Sequence, residues 1–206
     1  MEKKLPEYLK ELQRKWLKEK ETFRLMFQDE ARFGRISEHR RCWCPAPERP
    51  TCLSLVSQEN IYAYGAVSFP GGQFESLVLP RCDTDCMQVF LDEISSRHSE
   101  EKILMITDGA GWHKSKSLEV PKNIRLYFLP PYSPELNPVE HIWDELREKG
   151  FHNRVFSCLD ALEDHLVNEL RKLEDAPDVT STLTKLNTMV KPRNPPQNAF
   201  LRTFSY

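Results

Sequence analysis

Apolar and polar positions divide the chain into a strand-rich first half and a helix-rich second half. Residues 23–27, FRLMF, form a compact β-type run that ends at Gln28-Asp29-Glu30. Further strands are predicted around Cys42-Trp43-Cys44, over Thr51–Val56 and over Ile61–Phe69. Pro70-Gly71-Gly72 marks a turn, and Phe74–Leu79 reads as the next strand. Consecutive strands with short breaks describe an antiparallel meander.

The periodicity then changes. Asp83-x-Asp85 can cap a helix over about 85–97, with Met87, Val89, Phe90 and Ile94 as its apolar face. KILMIT at 102–107 and IRLYFL at 124–129 are short continuous apolar runs, as in central strands covered on both faces. After the rigid loop Pro130-Pro131-Tyr132-Ser133-Pro134, a helix is expected from Asn137-Pro138 to about Lys149. Another spans roughly 158–173, and its stripe Leu159, Leu162, Leu166 and Leu170 reads as core. The sum is an α/β chain whose mixed sheet, with an antiparallel half followed by a parallel half, is flanked by helices.

The ends differ from this middle. Residues 6–21 carry Leu9, Leu12, Trp16 and Leu17 at helical spacing between charges. They read either as a docking helix or as the end of a linker from another domain. From Asp175 the chain is rich in Pro, Asn, Thr and Ser, and KPRNPPQNAFLRTFSY at its end reads as a basic extended tail. The expected layout is an N-terminal helix over 1–21, a core domain over 22–174 and a tail over 175–206.

Composition narrows the class. Hydrophobic residues are 39% of the 206 and charged residues 29%, enough apolar material for a packed core. Lys+Arg is 29 against 31 Asp+Glu, so any nucleic-acid surface has to be a local basic patch. The six cysteines contain no C-x-x-C pair and read as ordinary reduced thiols. No apolar run approaches the ~20 residues of a membrane span, and MEKKLPEYLKEL shows no signal-peptide core. The expectation is a cytoplasmic protein with no membrane contact.

Candidate chemistry rests on three acids at the ends of strong elements. Asp29 follows FRLMF, Asp108 follows KILMIT, and Glu140 lies in the first turn of the helix starting at Asn137-Pro138. Each has a plain structural reading: a strand end, an Asp-Gly turn, and a capping box completed from Asn137. Together they describe converging carboxylates, which repel one another without a cation and become hard oxygen ligands with one. Two Mg²⁺ ions about 3.5–4 Å apart clamp the oxygens of an in-line phosphoryl displacement.

Three segments resemble those of a known family. LPPYSPELNPVEHIWDELRE at 129–148 is similar to the C-terminal signature of the IS630/Tc1/mariner transposases, Pro-Tyr-Ser-Pro-x-Leu-Asn-Pro-x-Glu-x-x-Trp. ITDGAGWHKS at 106–115 resembles their second-acid motif and FQDEARFGR at 27–35 their first. WCPAPERP at 43–50 resembles a further element of the family, with Pro47 in place of its usual Gly. The likeness covers about residues 22–173.

The resemblance implies an RNase H-like fold and a metal-dependent DNA transposase domain. Asp29, Asp108 and Glu140 would hold Mg²⁺ or Mn²⁺, as two ions. His113 would contact the scissile phosphate or orient an acid, with a buried structural histidine as its plain reading and Glu30 only a neighbour. Arg32, Arg35, His113, Lys114, Lys116 and Asn137 would meet DNA. Implied partners are terminal inverted repeats, TA-containing target DNA and a second copy of the chain on paired ends. Helix-turn-helix units usually precede the domain in this family, and residues 1–21 read as the end of that linker. Two other readings stand beside this one: an RNase H-like nuclease without strand transfer, and a truncated non-catalytic DNA-binding remnant.

Overall fold

The computed structural model describes residues 22–36, 44–47, 59–131, 133 and 136–184. The expected helix over 6–21, the strand over 51–56 and the tail beyond 184 lie outside these residues. So does most of the strand expected around Cys42–Cys44, and Cys44 itself belongs to no strand.

Five strands form one sheet: β1 (Thr22–Gly34), β2 (Asn60–Phe69), β3 (Phe74–Leu79), β4 (Glu101–Thr107) and β5 (Ile124–Phe128). Their spatial order is β3-β2-β1-β4-β5. β1 runs antiparallel to β2, from Leu25 opposite Phe69 to Gly34 opposite Asn60. It runs parallel to β4, from Thr22 beside Glu101 to Phe27 beside Ile106. β2–β3 is antiparallel and β4–β5 parallel. The expected antiparallel and parallel halves therefore meet at β1.

Helices cover both faces, which explains the unbroken apolar run of β4. Leu104 and Ile106 join one cluster, under α2 (Val139–Gly150) and α3 (Leu159–Glu174), with Trp143, Ile142, Leu146, Leu162, Leu166 and Leu170. Ile103 and Met105 join the other, under α1 (Thr84–Arg97), with Met87, Phe90, Leu91 and Ile94. Strand alternation sends successive side chains to opposite clusters. α1 starts where Asp83 accepts a hydrogen bond from the Cys86 amide at 2.9 Å. Among the described residues no helix is long and apolar enough to cross a membrane.

Two expectations need correction. β1 does not stop near Asp29 but continues to Gly34, because β2 pairs with it over its full length. Asp29 therefore lies within a strand. It nevertheless sits at an edge, since the parallel pairing with β4 stops two residues earlier, at Phe27.

The tail is also not extended from residue 175. Pro177–Leu183 form a further helix, α4. Pro177 stands in its first turn, where a missing amide proton does no harm. The Thr180 hydroxyl donates to the Gly72 carbonyl in the β2–β3 turn. Gly72 has φ +72°, and a Cβ there would meet the Pro177 carbonyl oxygen at 2.5 Å. Docking on this glycine outweighs the low helix propensity of Thr and Ser.

Candidate active site

Asp29 and Glu30 are adjacent on β1, so their side chains leave opposite faces of the sheet. Asp29 points to the α2 side, where Trp143 Nε1 donates to its Oδ2 at 3.0 Å. The indole can lie there because the residue paired with Asp29 on β2 is Gly65. A Cβ at Gly65 would stand 2.6 Å from Trp143 Cη2 and 2.8 Å from the Phe74 ring.

Asp29 is only 9% exposed. Burial pushes its carboxyl up to about 8, reinforced by the negative charges of Glu140 and Glu30. The Glu30 amide and the Trp143 indole oppose this shift without cancelling it.

Glu140 stands in the first turn of α2. Its carboxyl is also raised, first by burial, against Arg147 and with Asp144 and Asp108 adding to the rise. The capping-box reading fails here. The N-cap is Pro138, with no side-chain cap bond, so Glu140 is not consumed in capping. Asn137 instead anchors the helix start: its Nδ2 donates to the Gln28 carbonyl at 3.0 Å and its Oδ1 accepts from the Val139 amide at 3.3 Å. That clamp joins α2 to β1 one residue before Asp29.

Asp108 follows directly on β4 and its carboxylate is half-exposed. The turn reading holds as well, for Oδ1 accepts the Ala110 amide at 3.0 Å. His113 Nδ1 lies 2.8 Å from the same oxygen, and this bond first, then the Ala110 amide, holds the Asp108 carboxyl below its ordinary value against burial.

His113 sits on a single 3-10 turn, Trp112–Lys114, and is buried. Its Nε2 lies 2.7 Å from Glu30 Oε1. Burial alone would lower the imidazole, but the bonds to Asp108 and Glu30 overcome it and raise the ring to about 9. His113 thus bridges Glu30 and Asp108 within the fold.

Three residues expected at DNA are engaged within the fold. His113 and Asn137 are buried. The Arg35 guanidinium binds the Phe156 carbonyl at 3.2 Å, the Ser157 carbonyl and Glu59, and so ties the end of β1 to the segment before α3. Charge alone did not reveal these partners. Arg32, Lys114 and Lys116 are exposed, and Lys114 Nζ lies 5.1 Å from the centre of the Phe128 ring.

Asp29 is close enough to Glu140, and Glu140 to Asp108, for each to feel the other's charge. Among the described residues, however, no three His, Cys, Asp or Glu side chains are gathered tightly enough to hold a metal ion. Three carboxylates are nonetheless the hard oxygen donors that a divalent cation such as Mg²⁺ takes. Sequence reasoning missed Trp143, Gly65, Gln28 and Thr107, and treated Glu30 as a bystander. Trp143 was findable, since it lies three residues after Glu140 on the same helix and thus on one face.

The family described as "DDE superfamily endonuclease" matches residues 24–163. A chain of Sinorhizobium fredii (strain NBRC 101917 / NGR234), described as "Uncharacterized protein y4pE/y4sA", is 45% identical over 117 residues, or 56% of this chain and 87% of that one. Among solved structures, the Mos1 transposase paired-end complex with left transposon end is similar at a TM-score of 0.51 and 11% identity, over 85% of this chain and 59% of that one. The Mos1 strand transfer complex is similar at 0.53 and 12%, over 87% and 59%. The Mos1 mariner paired-end complex with Mn is similar at 0.52 and 12%, over 87% and 61%. At these identities the likeness is one of fold, an RNase H-like sheet with its helices. The chain spans about three fifths of the Mos1 chains it matches.

Proposed function

The chain belongs to the DDE superfamily endonuclease family, and we propose that it is the catalytic domain of a cut-and-paste DNA transposase. It cleaves phosphodiester bonds at the ends of its element and joins the freed 3′-OH to target DNA. The catalytic domain spans residues 22–174, with α4 docked on it. Asp29, Asp108 and Glu140 hold two Mg²⁺ or Mn²⁺ ions.

One observation carries this reading. Asp29 is a buried carboxyl raised to about 8 that faces the negative charge of Glu140, with one indole N–H as its side-chain donor. Among the described residues no cation is paired with it, and a divalent cation would supply the countercharge. When bound, the cations would neutralise the three carboxylates, activate water or a 3′-OH and steady the leaving oxygen.

The chain's own residues do the rest. Trp143 and Gly65 fix where Asp29 stands, Asn137 fixes the start of α2 and with it Glu140, and His113 fixes Asp108. Of the residues expected at DNA, Arg32, Lys114 and Lys116 are exposed and would meet the phosphate backbone. Substrates on this reading are terminal inverted repeats and TA-containing target, handled by two copies of the chain on paired ends in the cytoplasm at the nucleoid.

The test is cleavage of a duplex carrying the element's end, with Mg²⁺ or Mn²⁺. Asp108→Asn and Glu140→Gln are each expected to slow nicking at least a hundredfold, the scale of several kcal/mol of lost charge stabilisation. Wild-type nicking by both variants would overturn the reading. Strand-transfer products on a target plasmid separate a transposase from a plain nuclease, and a calorimetric titration without Mn²⁺ binding would point to a non-catalytic remnant.

A further inference from the structure

We propose that Glu30 is a positioning residue for Asp108 and acts through His113. The inference rests on the transposase reading of the site and assigns a role to the acid that the metal chemistry leaves out.

Glu30 is an unusual acid to find here. Its side chain is 5% exposed and that of His113 is 0% exposed, whereas that of Asp108 is 54% exposed. The imidazole thus bridges a fully enclosed carboxylate to one that reaches solvent. Its two contacts are short, 2.7 Å to Glu30 Oε1 and 2.8 Å to Asp108 Oδ1.

The surrounding bonds fix the direction of each donor. The Thr107 hydroxyl donates its one proton to Gln28 Oε1 at 2.6 Å, so towards His113 Nδ1, 3.2 Å away, its oxygen can only accept. Gln28 Nε2 donates to Glu30 Oε1 at 2.9 Å. The same Oε1 also faces His113 Nε2. Glu30 is therefore held by Gln28 while it holds the imidazole, and the ring of bonds closes through Thr107. None of these side chains can turn without leaving a buried polar group unpaired, at about 1–3 kcal/mol each.

The outcome is delivered to one atom. Both the His113 ring and the Ala110 amide end on Asp108 Oδ1, which leaves Oδ2 to carry ligand-binding capacity. An exposed carboxylate at a strand end would otherwise sample several rotamers, and partners behind a metal ligand typically change affinity or activity about 10–100-fold when removed. The strand explains why the second acid belongs beside the first. Position 29 faces α2 and position 30 faces the His113 turn, so two neighbours serve the site from opposite sides of one sheet.

The experiment compares wild type with Glu30→Ala, Glu30→Asp and Glu30→Gln in the full chain. The readouts are Mn²⁺ affinity by calorimetry and nicking at saturating DNA. Glu30→Ala is expected to lose about 10–100-fold in both while KM for DNA stays unchanged. Glu30→Asp withdraws the acceptor by one methylene and is expected to fall between Glu30→Ala and wild type. It covers the case in which Glu30→Ala does not fold. Glu30→Gln keeps an Oε1 that can accept from both Gln28 and His113, and is expected to recover most of the loss. Variants that melt earlier but bind Mn²⁺ and turn over as wild type does would overturn the proposal. If wild type binds Mn²⁺ without nicking, the transposase reading fails while the affinity series still decides the role of Glu30. If wild type binds no Mn²⁺, both fail.

Discussion

Asp29 and Glu30 are consecutive acids of one strand, yet they meet opposite environments. Glu30 is enclosed by donors: Gln28 and His113 both end on its Oε1. Asp29 is buried against the Trp143 indole and the negative charges of Glu140 and Glu30, and its carboxyl rises to about 8. The Glu30 face is satisfied by the fold alone. On the Asp29 face no cation among the described residues offsets the carboxyl, and the proposed metal would do so.

The largest expected effect tests that asymmetry directly. The Asp29 carboxyl sits at about 8 in the fold against an ordinary 3.8. It therefore lowers stability by an amount that is absent below about pH 4 and fully developed above about 8. His113, raised from 6.5 to about 9, adds stability that is fully present below 6.5 and lost as pH rises through 9. Cation-free thermal unfolding is thus expected to show stability falling with pH through both windows. Mg²⁺ or Mn²⁺ at a fixed concentration, a hundred times its dissociation constant at pH 8, adds about 2.7 kcal/mol there and less at lower pH, where the cation must displace the Asp29 proton. Asp29→Asn is expected to remove the first window and the cation gain together. An unchanged pH profile in that variant would erase the contrast between the faces.

Steric tightness on the Asp29 side gives the next effect. Gly65→Ala drives a methyl into Trp143 and Phe74, and urea titration is expected to show a loss of about 1–3 kcal/mol. Gly111 precedes the His113 turn, and a Cβ there would meet nothing within 4 Å, so Gly111→Ala is expected to stay within about 0.5 kcal/mol. Equal losses in the two would mean that the indole is not confined as described. The smallest effect lies on the Glu30 side. Thr107→Val deletes the donor to Gln28 and is expected to lower stability by about 1 kcal/mol while leaving the Asp29 pH window in place. A displaced window would show that the faces are coupled.

Much of this was legible in the chain itself. β2, β3, β4, β5 and α1–α3 follow from runs, alternation and caps, because each buries a continuous apolar face whose period is written locally. The full length of β1 was not legible, since ARFG past Glu30 is held by pairing with residues some thirty positions away. α4 was hidden because its Thr and Ser composition argues against a helix, and only docking on Gly72 overrides it. Arg35, His113 and Asn137 look like DNA contacts for a similar reason: their partners come from distant segments.

By itself the sequence laid out β2–β5 and α1–α3, and set Asp29, Asp108 and Glu140 in the order of a family motif, because periodicity and motif are properties of neighbouring residues. The tertiary structure decided what surrounds those acids. Charge compensation depends on distance through space, and the groups that set it here, Trp143, Gly65, His113 and Gln28, come together only when β1, β2, the turn after β4 and α2 pack around one sheet.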